Sequence, residues 1–392
     1  MNKQVILIIL AGLTSMLLSI VLYVIVSTTG IILKPNPSCN FRDKVYLKDF
    51  VVTLDGTLEN DHKVDTSHVG TKKLKIIYKN KYGFYKIKEF NLEIKDITKP
   101  TILVNNDYTV EVGYEKKLED VILCADDYDD NVKCEINGSY NLDEEGIYPL
   151  SITAKDKSNN TTTKNFNLNV VKPTIQKEEN NLEFISYQDI YKKYKNNNTL
   201  IGIDISKWQE EVDFKKLKDN NVEFVILKIG GQSNKGENIT IDPYFKNNIE
   251  GAIDNGLKVG IYFYSHASNV KEAREQAKFV LDNIKDYDIE LPISFDWENW
   301  SSFNSYNISL NTLNNIAKSF MLEINNSGYK SNLYSSEYYL ENIWFNNDYK
   351  NIWLANYGII KYQGKYDMWQ LCSDGKVDGI NTFVDIDVLY LN

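Results

Sequence analysis

Apolar runs and helical segments alternate from Leu200 to the C-terminus, and this alternation restricts the fold of that half more than any other feature. The runs 201–206, 224–230, 258–265 and 291–298 have the length of strands, and helical patterns over 243–256 and 269–284 lie between later ones. Strands alternating with helices make crossover units, and such units make a parallel sheet. Further strands over 331–334, 352–355 and 368–371 follow with little helix between the last of them. The pattern predicts a distorted α/β barrel over 199–392 rather than a doubly wound sheet.

Barrels of this kind carry their chemistry where strands end, so polar residues that interrupt apolar strands are the ones to collect. Asp204 interrupts the first run, Asp296 and Glu298 close the fourth, and Asp385 and Asp387 punctuate the last. Positions 296 and 298 are two apart on a strand, which puts both side chains on one face and Trp297 on the other. Two carboxyls that converge on one bond, one held protonated and one ionised, are the equipment of glycosidic cleavage. Glu298, with its longer reach, is the candidate acid. Tyr262, Tyr264, Trp353, Tyr357 and Trp369 lie at strand ends, where sugar faces would stack, while Trp297 is expected to pack outward.

The first half reads differently. An uncharged apolar run over 5–26, long enough for one spanning helix, ends without a small-residue cleavage pattern. It predicts a cytoplasmic tip and transmembrane anchor over 1–34. Short β-rich runs separated by Asn, Asp, Gly and Lys turns fill 40–171, and they contain a repeat. Residues 70–94 align without a gap on 146–170: Gly70 matches Gly146, Leu74 matches Leu150, Ile76 matches Ile152, and Phe90 with Leu92 matches Phe166 with Leu168. Two tandem β modules, 35–97 and 98–172, follow from that. The second, with Asp96, Thr98 and Pro100 at its entry, the acidic turn 126–130 and the start at Gly146 and Tyr148, resembles bacterial immunoglobulin-like domains. The acidic turn is expected to be a solvated loop rather than a calcium site. Residues 173–198 are polar and charged and read as a linker, with a short helix near 187–194.

Composition excludes some functions. A net charge of -10 offers no basic face for nucleic acid. Three scattered histidines make no metal site, and no cofactor is implied. Cys124 and Cys134 are spaced either for a short-loop disulfide in an exported domain or as two buried thiols. Cys372 is expected to pack beneath the site.

Taken in order, the blocks Asp204, Ser206, Trp208 and Gln209; the strand ending at Lys228; Asp242, Phe245 and Asn248; Tyr262 to Ser265; Asp296 to Glu298; Trp353 to Tyr357; Trp369 with Gln370; and Val384 with Asp385 resemble glycoside hydrolase family 25, the N-acetylmuramidase type of lysozyme. The likeness covers about half the chain and implies a flattened TIM-like barrel of eight strands and five helices. It also implies cleavage of peptidoglycan between N-acetylmuramic acid and N-acetylglucosamine. Asp204, Asp296, Glu298 and Asp385 take the positions of the family's site carboxylates. Glu298 would protonate the leaving oxygen, and Asp296 would orient the substrate acetamide for attack on the anomeric carbon. Phe263 stands where many relatives have His, at a minor subsite contact. A wall enzyme on an N-terminal anchor implies a single-pass protein of the cell membrane with its catalytic domain outside and glycan strands as partner. The alternatives are a silent peptidoglycan-binding protein, an adhesin acting through its β modules, and a chitinase, whose additional strand carboxylates are missing before Asp296.

Overall fold

The computed structural model describes residues 3–28, 30–173, 184–299, 303, 305–345, 348–358 and 360–391, and their side chains except those of 3–8, 24–28 and 120. The chain divides into two compact units, Met1–Thr98 and Lys99–Asn392.

The first unit opens with the helix Lys3–Thr28. Its described side chains, 9–23, are exposed and mostly apolar, among them Leu13, Met16, Leu17 and Leu18. Among the described residues no helix is long and apolar enough to cross a membrane. Both ends of the span expected over 5–26 lie outside the described side chains, and the described part is shorter than the roughly 20 residues a bilayer core requires. Strand Ile31–Leu33, expected to be part of the anchor segment, instead pairs with Val51–Leu54 and buries Ile31 in the first β module.

The repeat seen in the sequence is a repeat of strand register. Gly70 lies opposite Ile94 and Leu74 opposite Phe90 in one hairpin, while Gly146 lies opposite Val170 and Leu150 opposite Phe166 in the other. Alternate residues, Leu74, Ile76 and Tyr78 in the first and Leu150, Ile152 and Ala154 in the second, turn inward, as a period of two requires. In each module the outgoing strand takes a parallel neighbour, Ser38–Asn40 or Asp107–Glu111, and the incoming strand an antiparallel one, Gly56–Leu58 or Lys133–Asn137. Each is therefore a small all-β module of one plan, a four-stranded sheet facing a two-stranded ladder. Cys124 and Cys134 form a disulfide in the second, with α-carbons 5.9 Å apart.

The second module is seated on the barrel. Leu103, Leu123 and Ala125 belong to the same apolar core as the barrel's outer strand faces and helices. Leu310 and Asn311, at the start of helix Leu310–Asn326, donate main-chain hydrogen bonds to the carbonyls of Asp126 (2.8 Å) and Asp127 (3.2 Å). The expected solvated turn is thus overturned. Asp126 and Asp129 are buried, and Asp126 accepts the amides of Tyr128 and Asp129, because carboxylates in a tight turn are the nearest acceptors for its unpaired N–H groups. The later part of the expected linker is also built in. Ile185–Ser186 pairs with strand Met368–Lys376, and Tyr187 of helix Tyr187–Tyr194 is fully buried, its hydroxyl donating to the carbonyls of Ile201 and Asn221.

The barrel itself closes with eight strands among the described residues. Thr199–Ile205, Phe224–Gly231, Lys258–Tyr264, Ile293–Asp296, Ser331–Ser336, Ile352–Ala355 and Met368–Lys376 run parallel. Val384–Tyr390 closes the ring, antiparallel to both its neighbours. A core of Phe224, Ile226, Tyr334, Trp353 and Met368 fills the inside, and a larger one lies between strands and helices.

Candidate active site

The barrel's register brings the interrupting carboxylates to one mouth. Asp204 pairs with Asp385 across the closing strands, Asp387 lies opposite both Gly202 and Gln370, and Asp296 ends the strand beside Tyr264. Asp204, Asp296 and Asp387 are buried, Asp385 is half-buried, and Glu298 is the exposed member, facing a groove of about 340 Å³ that Tyr334, Tyr339 and Tyr357 also line. A larger concavity, about 650 Å³, lies on the second β module, but its lining, mostly asparagine amides and apolar groups, holds no titratable side chain.

Five carboxyls this close cannot all ionise. Burial, then the charges of Asp385 and Asp387, holds Asp204 well above the usual carboxylate range, and burial followed by Asp385 does the same to Asp387. Asp385 is pushed up to about 6, chiefly by burial. Asp296 is raised by burial and then by the neighbouring charge of Glu298. Glu298 is raised as well, since its carboxyl is hemmed in by protein even though the side chain opens on the groove. Lys228 opposes the rise at both. Its ammonium lies 5.7 Å from the ring centre of Tyr262 and 4.8 Å from that of Tyr264, and it forms no ion pair among the described residues.

A second group of side chains fixes orientation. The hydroxyls of Tyr334 and Tyr357 both donate to Oε1 of Gln370, at 2.9 and 2.7 Å, which leaves Nε2 to donate to Oδ2 of Asp204 at 2.7 Å. Trp353 Nε1 donates to Oδ1 of Asp387 at 2.8 Å. Two acceptors of the cluster are left over: Oδ1 of Asp296 and Oδ2 of Asp387 have no hydrogen-bond partner among the described residues. A buried acceptor without a donor is uncommon, and that of Asp296 belongs to the carboxyl next to the one that faces the groove.

Of the aromatic residues expected to face sugar, the structure puts Tyr262, Tyr264 and Tyr357 at the mouth, with Tyr357 58% exposed. Two others are corrected. Trp353 is 1% exposed and packs edge-on against Tyr262 and Tyr334 inside the barrel, below the mouth. Trp369 points the other way, against Tyr194, with its Nε1 donating to the carbonyl of Asn356, because Met368 and Gln370 take the inward positions of that strand. Phe263 is likewise outward, against Phe279 and Phe320, so its identity has no bearing on a sugar contact. Trp297 packs outward among Phe303, Tyr306 and Trp344 as expected, and Cys372 is buried, its thiol pushed up to about 12 by desolvation. Lys228 and Gln370 stand in the blocks that carry the family resemblance but receive no role of their own from it, and Tyr334 receives none. The signal available for Lys228 was a lone cation inside the run Phe224–Gly231, most of which is buried.

Residues 203–380 match the family model described as Glycosyl hydrolases family 25. The uncharacterized protein YegX of Escherichia coli strain K12 is 29% identical over 204 residues, which is 48% of this chain and 69% of that protein. An autolytic lysozyme of Clostridium acetobutylicum is 27% identical over 191 residues, covering 47% of this chain and 54% of the relative. Among solved structures, a family 25 glycosyl hydrolase from Bacillus anthracis overlays 51% of this chain and 92% of its own at 20% identity and a TM-score of 0.43. The modular autolysin LytC of Streptococcus pneumoniae, solved with a synthetic peptidoglycan ligand, overlays 61% of this chain and 56% of its own at 22% identity and the same TM-score.

Proposed function

The chain carries a domain of glycosyl hydrolases family 25 over residues 203–380 and is a glycoside hydrolase; from that premise we propose that it cuts the β-1,4 bond between N-acetylmuramic acid and N-acetylglucosamine in peptidoglycan. The observation that carries the reading is the pair at the fourth strand's end: Glu298 on the groove, two residues from a buried Asp296 whose Oδ1 has no hydrogen-bond partner among the described residues. Between them they hold one proton in the resting site, and burial favours Asp296 as its seat. A substrate acetamide that offers its N–H to Asp296 favours the ionised carboxylate there, so the proton moves to Glu298. Glu298 then gives it to the leaving oxygen while the acetamide oxygen attacks the anomeric carbon, with Asp296 holding the acetamide in line. Asp385, held at about 6 and so ionised at neutral pH, favours the positive charge that develops on the sugar, while Asp204 fixes Gln370.

Reducing ends decide the bond. Digestion of purified peptidoglycan, borohydride reduction and mass spectrometry are expected to give reduced muramic acid. Reduced glucosamine would reassign the bond, and no product would favour a binding protein without turnover. That alternative has little support, because all the site carboxylates expected from the sequence are present at one mouth.

The proposal extends to location. The uncharged run over 5–26 supports a single-pass anchor in the cell membrane that leaves the catalytic domain outside, and the two β modules, read as immunoglobulin-like spacers, would carry the enzyme toward the wall. Full-length protein is expected in the membrane fraction and to resist extraction by 1 M salt, conditions that screen charge attraction. Release into the soluble fraction would remove the anchor from the proposal.

A further inference from the structure

Beside the carboxylate mouth lies a second concavity, about 220 Å³, that shares Lys228 and Tyr264 with it and continues to Lys207, Trp208 and Asp242. Trp208 is 70% exposed, the most exposed indole among the described residues. That exposure does not come from a loose chain. The turn Lys207–Gln209 is fixed at both ends and in the middle: Ser206 accepts the amide of Trp208 at 3.3 Å, the amide of Lys207 donates to Oδ2 of Asp242 at 3.0 Å, and Nε2 of Gln209 donates to the carbonyl of Phe383 at 3.0 Å. A large apolar ring held rigidly in water gains nothing for the fold and is a ready platform for a ligand.

Lys207 stands beside the indole, and Lys228 lies between it and the Asp296–Glu298 pair, whose ionised forms it favours. Nζ of Lys207 lies 4.9 Å from the centre of the Trp208 ring, and neither Lys207 nor Lys228 forms an ion pair among the described residues. The one carboxylate in the concavity, Asp242, is buried and already accepts two amides, those of Lys207 and Tyr244. In a chain of net charge -10, this pocket presents an indole face and two ammonium groups that form no ion pair among the described residues, one of them beside the catalytic carboxyls. An oligosaccharide without charge has no use for them, whereas a glycan that carries acidic peptides does.

We propose that this concavity binds the carboxylate-bearing peptide attached to muramic acid, with the indole of Trp208 against the peptide backbone and Lys207 and Lys228 facing its carboxylates. The inference rests on the peptidoglycan reading above and makes the enzyme selective for peptide-substituted strands.

Binding is measured by calorimetry in the full chain carrying Glu298→Gln, so that no fragment is consumed, using glycan tetrasaccharides with intact peptides and the same fragments stripped of them. The peptide-bearing fragment is expected to bind about tenfold more tightly, a difference equivalent to about 1.4 kcal/mol. Adding Trp208→Ala, or Lys207→Gln, is expected to bring the ratio toward one, and the Lys207 effect should fade as salt rises from 50 to 500 mM. Equal binding of the two fragments, or a ratio that survives both substitutions, overturns the peptide site and leaves the sugar groove intact. Failure of both fragments to bind overturns it together with the glycan reading.

Discussion

Replacement of Glu298 by Gln is expected to lower turnover on wall glycan about 10³-fold, within the range that a positioned proton donor contributes. The groove-facing carboxyl is replaced by an amide of the same shape, so the melting temperature should barely move and serves to show that the site is still assembled. A sharper test separates proton donation from folding. An aryl glycoside whose phenol leaves as a stable anion needs no acid, and on it the Glu298→Gln protein is expected to lose less than about tenfold. Equal losses on both substrates would take the proton-donor role away from Glu298 and return it to another member of the cluster.

Asp296→Asn is expected to act in two directions. Activity on wall glycan should fall ~100-fold or more, because an amide cannot take up the charge that builds on an attacking acetamide and holds it less well in line. Stability at neutral pH should rise. The native carboxyl is held above its ordinary value of 3.8 by burial and by Glu298, so the native state keeps a proton that the unfolded chain has released. That contribution to stability is fully present below 3.8 and is lost as pH climbs through the native value. The gap in melting temperature between the Asp296→Asn protein and its parent should therefore be wider at pH 7 than at pH 4. A gap that does not change with pH would mean that the buried charge is not what the parent tolerates.

Much of this arrangement can be read from the residues. The match of 70–94 with 146–170 shows that two modules share one plan and which of their positions correspond, while the pairing within each hairpin comes from the structure. Asp204, Asp296 and Glu298 declare themselves because a charge inside an apolar run has to be explained. The tryptophans were less legible. Parity alone sends Trp369 outward, once Gln370 is known to face Asp204, but that knowledge comes from the partner strand. Trp353 has the inward parity, and only the stagger of neighbouring strands sets it below the mouth rather than on it. The acidic turn misled for a related reason: its carboxylates look solvated until the amides of the turn and the start of helix Leu310–Asn326 are brought against them.

The seat of the second β module on the barrel also redraws where the enzyme can be cut out of the chain. A fragment that begins at residue 199 discards Tyr187 from beneath the first strand and strips Leu103, Leu123 and Ala125 from the barrel's outer core. It also leaves the first two amides of helix Leu310–Asn326 without their acceptors. The natural excision point is near Lys99, so the smallest piece that keeps these contacts is the barrel together with its adjoining β module.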